Sequence, residues 1–209
     1  MAPDEPLPRV DLDARTLRGI AHPLRIRMLG ILRTDGPATA SMLAERLSQN
    51  SGAASYHLRQ LAEYGFVTEV PELGTRRERW WRAAHANTTL TDAGLVGQVD
   101  GPAAVYLRSL AQVWADNLMR AVEAAPTLSP QWRAAEDFGD YALTLTPEQA
   151  GELMAEVHGV LRRHTAARLK APDPNADPDG FPAADPPKDA ARVTFQFQLF
   201  PEPEDHRTP

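Results

Sequence analysis

The sequence predicts a mainly α chain with a small β component: a winged helix-turn-helix, a long dimerisation helix, and a strand-helix-strand appendage. Three observations carry this. Residues 39–64 hold two short helical patterns separated by a polar break, Ser48-Gln49-Asn50-Ser51-Gly52. Residues 66–82 follow directly and read as a hairpin, with apolar ends around Pro71 to Gly74. Residues 102–125 then repeat apolar side chains at helical spacing for about seven turns.

Composition sets the bounds. A chain of 209 residues can hold one large domain or two small ones with a real core. No run of about 18 apolar residues occurs, so no membrane span is expected. The start, MAPDEPLPRVDLD, is acidic and proline-rich, unlike a signal peptide. Cysteine is absent, which removes disulfides and thiolate metal sites and fits a cytoplasmic setting. The net charge of −6 is uneven: residues 9–85 carry 12 Arg against 8 Asp and Glu, while residues 86–209 sum to −8. The basic stretch coincides with the helix pair, as a phosphate-binding module requires.

In chain order, residues 1–10 hold three prolines and are expected to be a disordered arm. Asp11 or Asp13 can cap a helix to about Ala21 that buries Leu17 and Ile20. Pro23 suits the first turn of the next helix, whose stripe is Leu24, Met28, Ile31 and Leu32. Gly36-Pro37 ends it, and Thr39 caps a helix with Met42, Leu43, Ala44 and Leu47 as its apolar positions. In the following helix Ala54, Leu58 and Leu61 recur at i, i+4, i+7, and Gly65 supplies a left-handed stop.

The opposite face of that last helix carries Ser51, Ser55, Tyr56, Arg59 and Gln60. These are short or planar hydrogen-bonding side chains with one cation, and no acid precedes Glu63. Such a face suits a helix lying in the major groove of duplex DNA. In the hairpin, Arg76 and Arg77 sit at the tip, placed to reach phosphate or the minor groove. The alternative for the tip is a solvated loop with its arginines paired to Glu72 and Glu78.

The runs IAHPLRIRMLGIL, LAERL, SYHLRQLAEYGFV and RRERWW together resemble the winged helix-turn-helix of ArsR-type bacterial transcription regulators, over residues 12–82. The resemblance implies a homodimer on a pseudo-palindromic operator, usually a repressor released by a ligand. By position it implies that Asn50 caps the recognition helix, that Ser51, Gly52, Ser55 and Tyr56 contact bases and phosphates, and that Arg59 faces phosphate. Many such regulators sense metals through a cysteine pair on the preceding helix, and Met42-Leu43-Ala44-Glu45 has none. His158 and His164 stand at i, i+6, which does not place two ligands on one helix face. Asn175, Asp177, Asp179 and Gly180 mimic the start of a calcium loop, but Pro186 falls where the bidentate Glu belongs. No metal or other cofactor is expected.

Asp100 can cap, and Pro102 open, the long helix, with Tyr106 or Leu107, Leu110, Trp114, Leu118, Ala121 and Val122 as its stripe. About 24 residues span ~36 Å, more than one small domain needs internally, which favours dimerisation over an intrachain core role. A dimer would set two recognition helices roughly 34 Å apart. Residues 137–145 alternate partially, as a strand does. Thr146-Pro147-Glu148-Gln149 is a capping box opening a helix with Ala150, Leu153, Met154, Val157 and Leu161 as its stripe. Residues 171–190 read as a disordered loop, and Val193, Phe195, Phe197 and Leu199 alternate as in a half-buried strand. Trp114, Trp132 and Tyr141 are either core aromatics of a structural appendage or the walls of a pocket for a small organic effector.

No phosphate-cradling glycine loop, nucleophile elbow, HExxH or cysteine nucleophile is present, so the sequence does not read as an enzyme. The expected organisation is a DNA-binding domain over 11–85, a connector over 86–99, and a dimerisation and effector region over 100–209. The expected function is regulation of transcription through double-stranded DNA. The alternative is a winged helix used as a protein–protein interaction module.

Overall fold

The computed structural model describes residues 9–74, 78–169, 190–191 and 193–202. The wing-tip residues Arg76 and Arg77, most of the 171–190 loop, and residues 1–8 of the arm lie outside the described residues. The chain divides into two compact units at Leu128 and Ser129.

The first unit is a winged helix-turn-helix followed by a long helix. Its elements are β1 (Arg9–Asp11), α1 (Ala14–Ile20), α2 (Pro23–Asp35), β2 (Ala38–Thr39), α3 (Ala40–Arg46), α4 (Ser51–Glu63), β3 (Val67–Glu69), β4 (Trp80–Ala83), β5 (Asn87–Thr89), α5 (Ala93–Val96) and α6 (Pro102–Ala124). The helix boundaries have local causes. Asp13 accepts from the Arg15 and Thr16 amides and Thr16 reciprocates, a full capping box. His22, followed by Pro23 at the first turn, caps α2 by accepting the Leu24 amide on Nδ1 at 3.1 Å. Thr39 caps α3 through the Met42 amide. After α4, Gly65 takes φ 79°, where a Cβ would be strained, and Phe66 turns back into β3.

The core is built from the faces the periodicity predicts, with exceptions. Ala54, Leu58 and Leu61 of α4 are fully buried against Leu17, Ile20, Met28, Leu32, Leu43 and Phe66. In α2 the buried residues are Met28, Leu29 and Leu32; Leu24 and Ile31 are only half-buried. α2 is sandwiched between α4 and α6, and Leu29 fills the side that the single-stripe expectation left out. Met42 corrects the α3 expectation: it is 47% exposed, because Leu43 and Ala44 carry the buried face of this two-turn helix.

β3 and β4 form the antiparallel wing, pairing Val67 with Ala83 and Glu69 with Trp81, and β2 pairs with the other edge of β4. A second, parallel ladder joins β1 to β5. Residues 9 and 10 therefore belong to a strand rather than to the disordered arm, and the expected connector contributes β5 and α5. Strands of three residues are too short to show a period.

α6 runs for 23 residues, from Pro102 as expected, but its cap is Gly101. Asp100 instead takes φ 59° and pairs with Arg108. Ala103, Tyr106 and Val113 are buried where α6 packs on α1 and α2, and Arg27 of α2 is ion-paired with Asp116 of α6. Leu107 points outward, and so do Leu118, Met119 and Val122 in the second half of the helix.

The second unit contains α7 (Pro130–Ala135), which the sequence reading did not separate, and α8 (Pro147–Leu169). The capping box of α8 forms in both directions, Thr146 N to Gln149 Oε1 at 2.9 Å and Gln149 N to Thr146 Oγ1 at 3.2 Å. Ala150, Leu153, Met154, Val157 and Leu161 are its half-buried stripe. The two flanking strands are corrected: residues 137–145 and 193–199 form no ladder among the described residues. Alternation supplies a two-sided segment, but a strand also needs a partner edge. Phe197 instead meets His158 of α8 edge-on at 5.5 Å, with Phe195 beside it.

Candidate nucleic-acid interface

α4 is anchored on three sides and open on the fourth. Asn50 Oδ1 accepts the Ala53 amide at 2.7 Å, which starts the helix where the resemblance puts its cap. At 100° per residue, the buried line through Ala54, Leu58 and Leu61 leaves Gly52, Tyr56, Arg59, Gln60 and Glu63 on the opposite side. Ser51, Gly52, Tyr56 and Arg59 are exposed, Tyr56 by 54%, whereas Ser55 and Gln60 are half-buried. Arg59 Nε donates to the Ser55 carbonyl at 3.2 Å, which lays the guanidinium stem along the helix and leaves its Nη donors uncommitted by that bond. Gln60 Nε2 donates to Glu63 Oε2 at 3.0 Å. Gln60 would have to leave Glu63 to address a base edge.

Ser55 and Arg59 also line a cleft of about 380 Å³ with Thr39 and Ser41 of the α3 start and Arg79 and Trp81 of the wing. Arg79 is held 3.8 Å from Glu69 across the wing. The helix pair and the wing thus share one cleft, whose lining also includes the acid Glu78 and the largely buried Trp81.

On the other flank α4 meets the start of α2. The His22 and His57 rings lie 4.5 Å apart, and Tyr56 meets His57 edge-on at 5.2 Å. Burial, then the charge of Arg25, holds His22 below its ordinary pKa of 6.5. For His57 burial comes first, followed by His22 and Arg25. In the sequence His22 precedes Pro23 and His57 falls within the helical pattern of 51–64, with nothing there to connect them. The connecting signal is the cap itself: a histidine preceding a proline at N1 has a ring nitrogen free to accept an amide, which fixes it at the helix start.

Arg33 is the other residue missed. Its Nε donates to the His85 carbonyl at 2.8 Å and its Nη2 to Thr88 Oγ1 at 2.6 Å. Burial pushes its pKa down to about 10. It also lies close enough to Tyr106 to shift that phenol, whose pKa burial raises. In sequence it is one more arginine on an amphipathic helix, and only the β5 strand reveals its role.

The aromatics proposed for an effector pocket are distributed across both units. Trp114 is half-buried on α6, in the first. In the second, Trp132 is half-buried on α7 and Tyr141 is 84% exposed. Among the described residues no group of three or more His, Asp or Glu could hold a metal ion, and no helix is long and apolar enough to cross a membrane.

A family model described as a helix-turn-helix domain matches residues 20–70, the span from the end of α1 to the first half of the wing. No curated protein matches. Among solved structures, a mutant of MarR from E. coli complexed with operator DNA is similar with a TM-score of 0.28 and 19% identity, covering 70% of this chain and 84% of that one. RV1404 from Mycobacterium tuberculosis is similar with a TM-score of 0.28 and 19% identity, covering 77% of this chain and 84% of that one. Similarity at this level adds nothing to the geometry described above.

Proposed function

We propose that this chain is a sequence-specific DNA-binding transcription regulator that acts as a homodimer, with α4 in the major groove and the wing over the adjacent backbone. The observation that carries the reading is the division of α4 into a fully buried apolar line and an outward face with Gly52, Tyr56, Arg59 and Gln60. A glycine there allows close backbone approach, and the remaining side chains supply the donors and acceptors that base edges and phosphates require. Ser51, Ser55 and Asn50 complete the helix start, and Arg76 and Arg77, which lie outside the described residues, are assigned to phosphate by their sequence position between β3 and β4.

The homodimer is supported by α6. Its second half exposes Leu118, Met119 and Val122, three large apolar side chains within two turns of a helix already longer than its packing on α1 and α2 uses. Within the winged-helix regulators, the motif order of α2 to β4 favours the ArsR type. We read its action as repression by occupying a promoter, with any effector acting outside α3, which lacks the metal-binding thiols.

Selection of duplexes from a random-sequence pool tests the reading. A recovered site should be a pseudo-palindrome, bound by two chains, with log K falling linearly with log salt. Recovery of no sequence, or binding indifferent to salt, would reject it in favour of a protein-interaction module.

A further inference from the structure

The flank of α4 that faces α2 gathers positive and potentially positive groups without an acid. His22 and His57 stack at 4.5 Å, and Arg25 stands one turn into α2 from His22. Arg25 Nη2 donates to the Arg18 carbonyl at 3.2 Å. Its Nε, like Nδ1 of His57, is buried with no hydrogen-bond partner. The groups facing this cluster are Tyr56 and Tyr64 from α4 and its end and the Arg18 carbonyl of α1; Arg15 lies 5.7 Å over the Tyr64 ring. Among the described residues the ion pairs of arginines with carboxylates are those of Arg27, Arg46, Arg79 and Arg108, and none reaches this corner.

A cluster of like sign that no carboxylate pairs with among the described residues is a place for an anion. A metal cation is disfavoured by Arg25 and by the commitment of His22 Nδ1 to the Leu24 amide, which leaves fewer imidazole nitrogens than a metal site needs. The cluster adjoins Tyr56 on the outward face of α4, and the groove such a helix enters is bordered by backbone phosphates. We propose that His22, Arg25 and His57 seat a backbone phosphate of the bound duplex, and that His57 takes up a proton as it does so. This rests on the DNA-binding reading above. His22 keeps its cap bond on Nδ1 and donates from Nε2–H, Arg25 supplies a permanent charge, and His57 supplies the titrating one. In the free chain burial and then the charges of His22 and Arg25 hold the His57 pKa below its ordinary 6.5, and a seated phosphate opposes that shift.

The test is the affinity of the full chain for a short selected duplex at fixed ionic strength, from about pH 7.5 to about 5.5. The wild type should tighten by about three- to tenfold on acidification, and His57→Gln should abolish that gain. Arg25→Gln should weaken binding at every pH and lower the salt slope by about one. His22→Asn, which keeps a capping acceptor, should weaken binding without removing the pH dependence. Each variant is checked for a single cooperative thermal transition at about pH 7.5. A pH-flat wild type, or Arg25→Gln binding at wild-type strength while Arg59→Ala is impaired, would overturn the seat and leave the DNA-binding reading intact. Absence of any bound duplex would overturn both. In a separate arm, inorganic phosphate is titrated while the His57 ring is followed by NMR; a response to it without one to the duplex would assign the seat to a free anion and overturn the proposal.

Discussion

The Tyr64 ring occupies the space into which a side chain at Gly19 would project. A Cβ at Gly19 would lie closer than 3.0 Å to Cβ, Cγ and Cδ2 of Tyr64, so α1 and the C-cap of α4 are in contact through a missing methyl group. Gly19→Ala should therefore destabilise the chain by about 1–3 kcal/mol, although alanine is intrinsically the better helix former. Chemical denaturation of Gly19→Ala, Tyr64→Ala and the double variant measures this. A double variant whose loss equals the sum of the two singles would show that the residues do not meet.

Asn50 holds the start of α4 through one hydrogen bond to the Ala53 amide. Asn50→Ala should cost about 1 kcal/mol, and Asn50→Asp or Asn50→Ser should restore most of it. If thermal melts show the serine variant no better than alanine, the cap has been misplaced.

Arg59→Ala removes the one cation of the outward face. Affinity should fall across all duplex sequences, and the slope of log K against log salt should shrink by about one. A loss confined to one base position in a binding-site selection would instead make Arg59 a reader of sequence.

Leu118→Glu combined with Val122→Glu places two charges on the exposed half of α6. On the proposed homodimer, light scattering should report a dimer for the wild type and a monomer for the variant, with circular dichroism unchanged and duplex affinity strongly reduced. An unaltered mass would move the dimer interface elsewhere.

The histidines also set a pH dependence for the free chain. His22, His57 and His85 are all held below the ordinary 6.5, chiefly by burial. The unfolded chain then binds more protons than the folded one once the pH drops to about 6.5, so stability should decline as acid is added until the folded-state values are passed. Thermal midpoints at about pH 7.5 and about 5.5 should differ less in His57→Gln than in the wild type. A midpoint that rises on acidification would contradict the sign.

The elements that could be read from sequence are those whose signal is local. Ala54, Leu58 and Leu61 declare a helix face by spacing, Thr39 and Thr146 declare helix starts by chemistry, Asp13 does so as one of two candidates with Asp11, and Asn50 is the cap that the family resemblance implies. All of these appear where expected. What escaped depends on distant partners. Leu29 is buried on an α2 that packs against both α4 and α6, and Arg33 is half-buried with its Nη2 donating to Thr88 of β5. Val193 to Leu199 alternates like a strand yet has no neighbouring edge to pair with among the described residues. The outward residues of α4 were found by exclusion, as those the apolar line leaves free. The His22–His57–Arg25 corner was not found, because its members lie on two helices that only tertiary packing brings together.

The ion pair between Arg27 and Asp116 gives α2 a mechanical role. α2 is a single rod of 13 residues, about 20 Å long, in contact with α4 along one side and bound to α6 along another. Any displacement of α6 must either break that pair or carry α2 with it, like a lever turning on its own core. The start of the same rod bears His22, against the flank of α4. Motion of α6 can thus be passed through α2 to the α4 flank beside His22 without crossing a flexible loop.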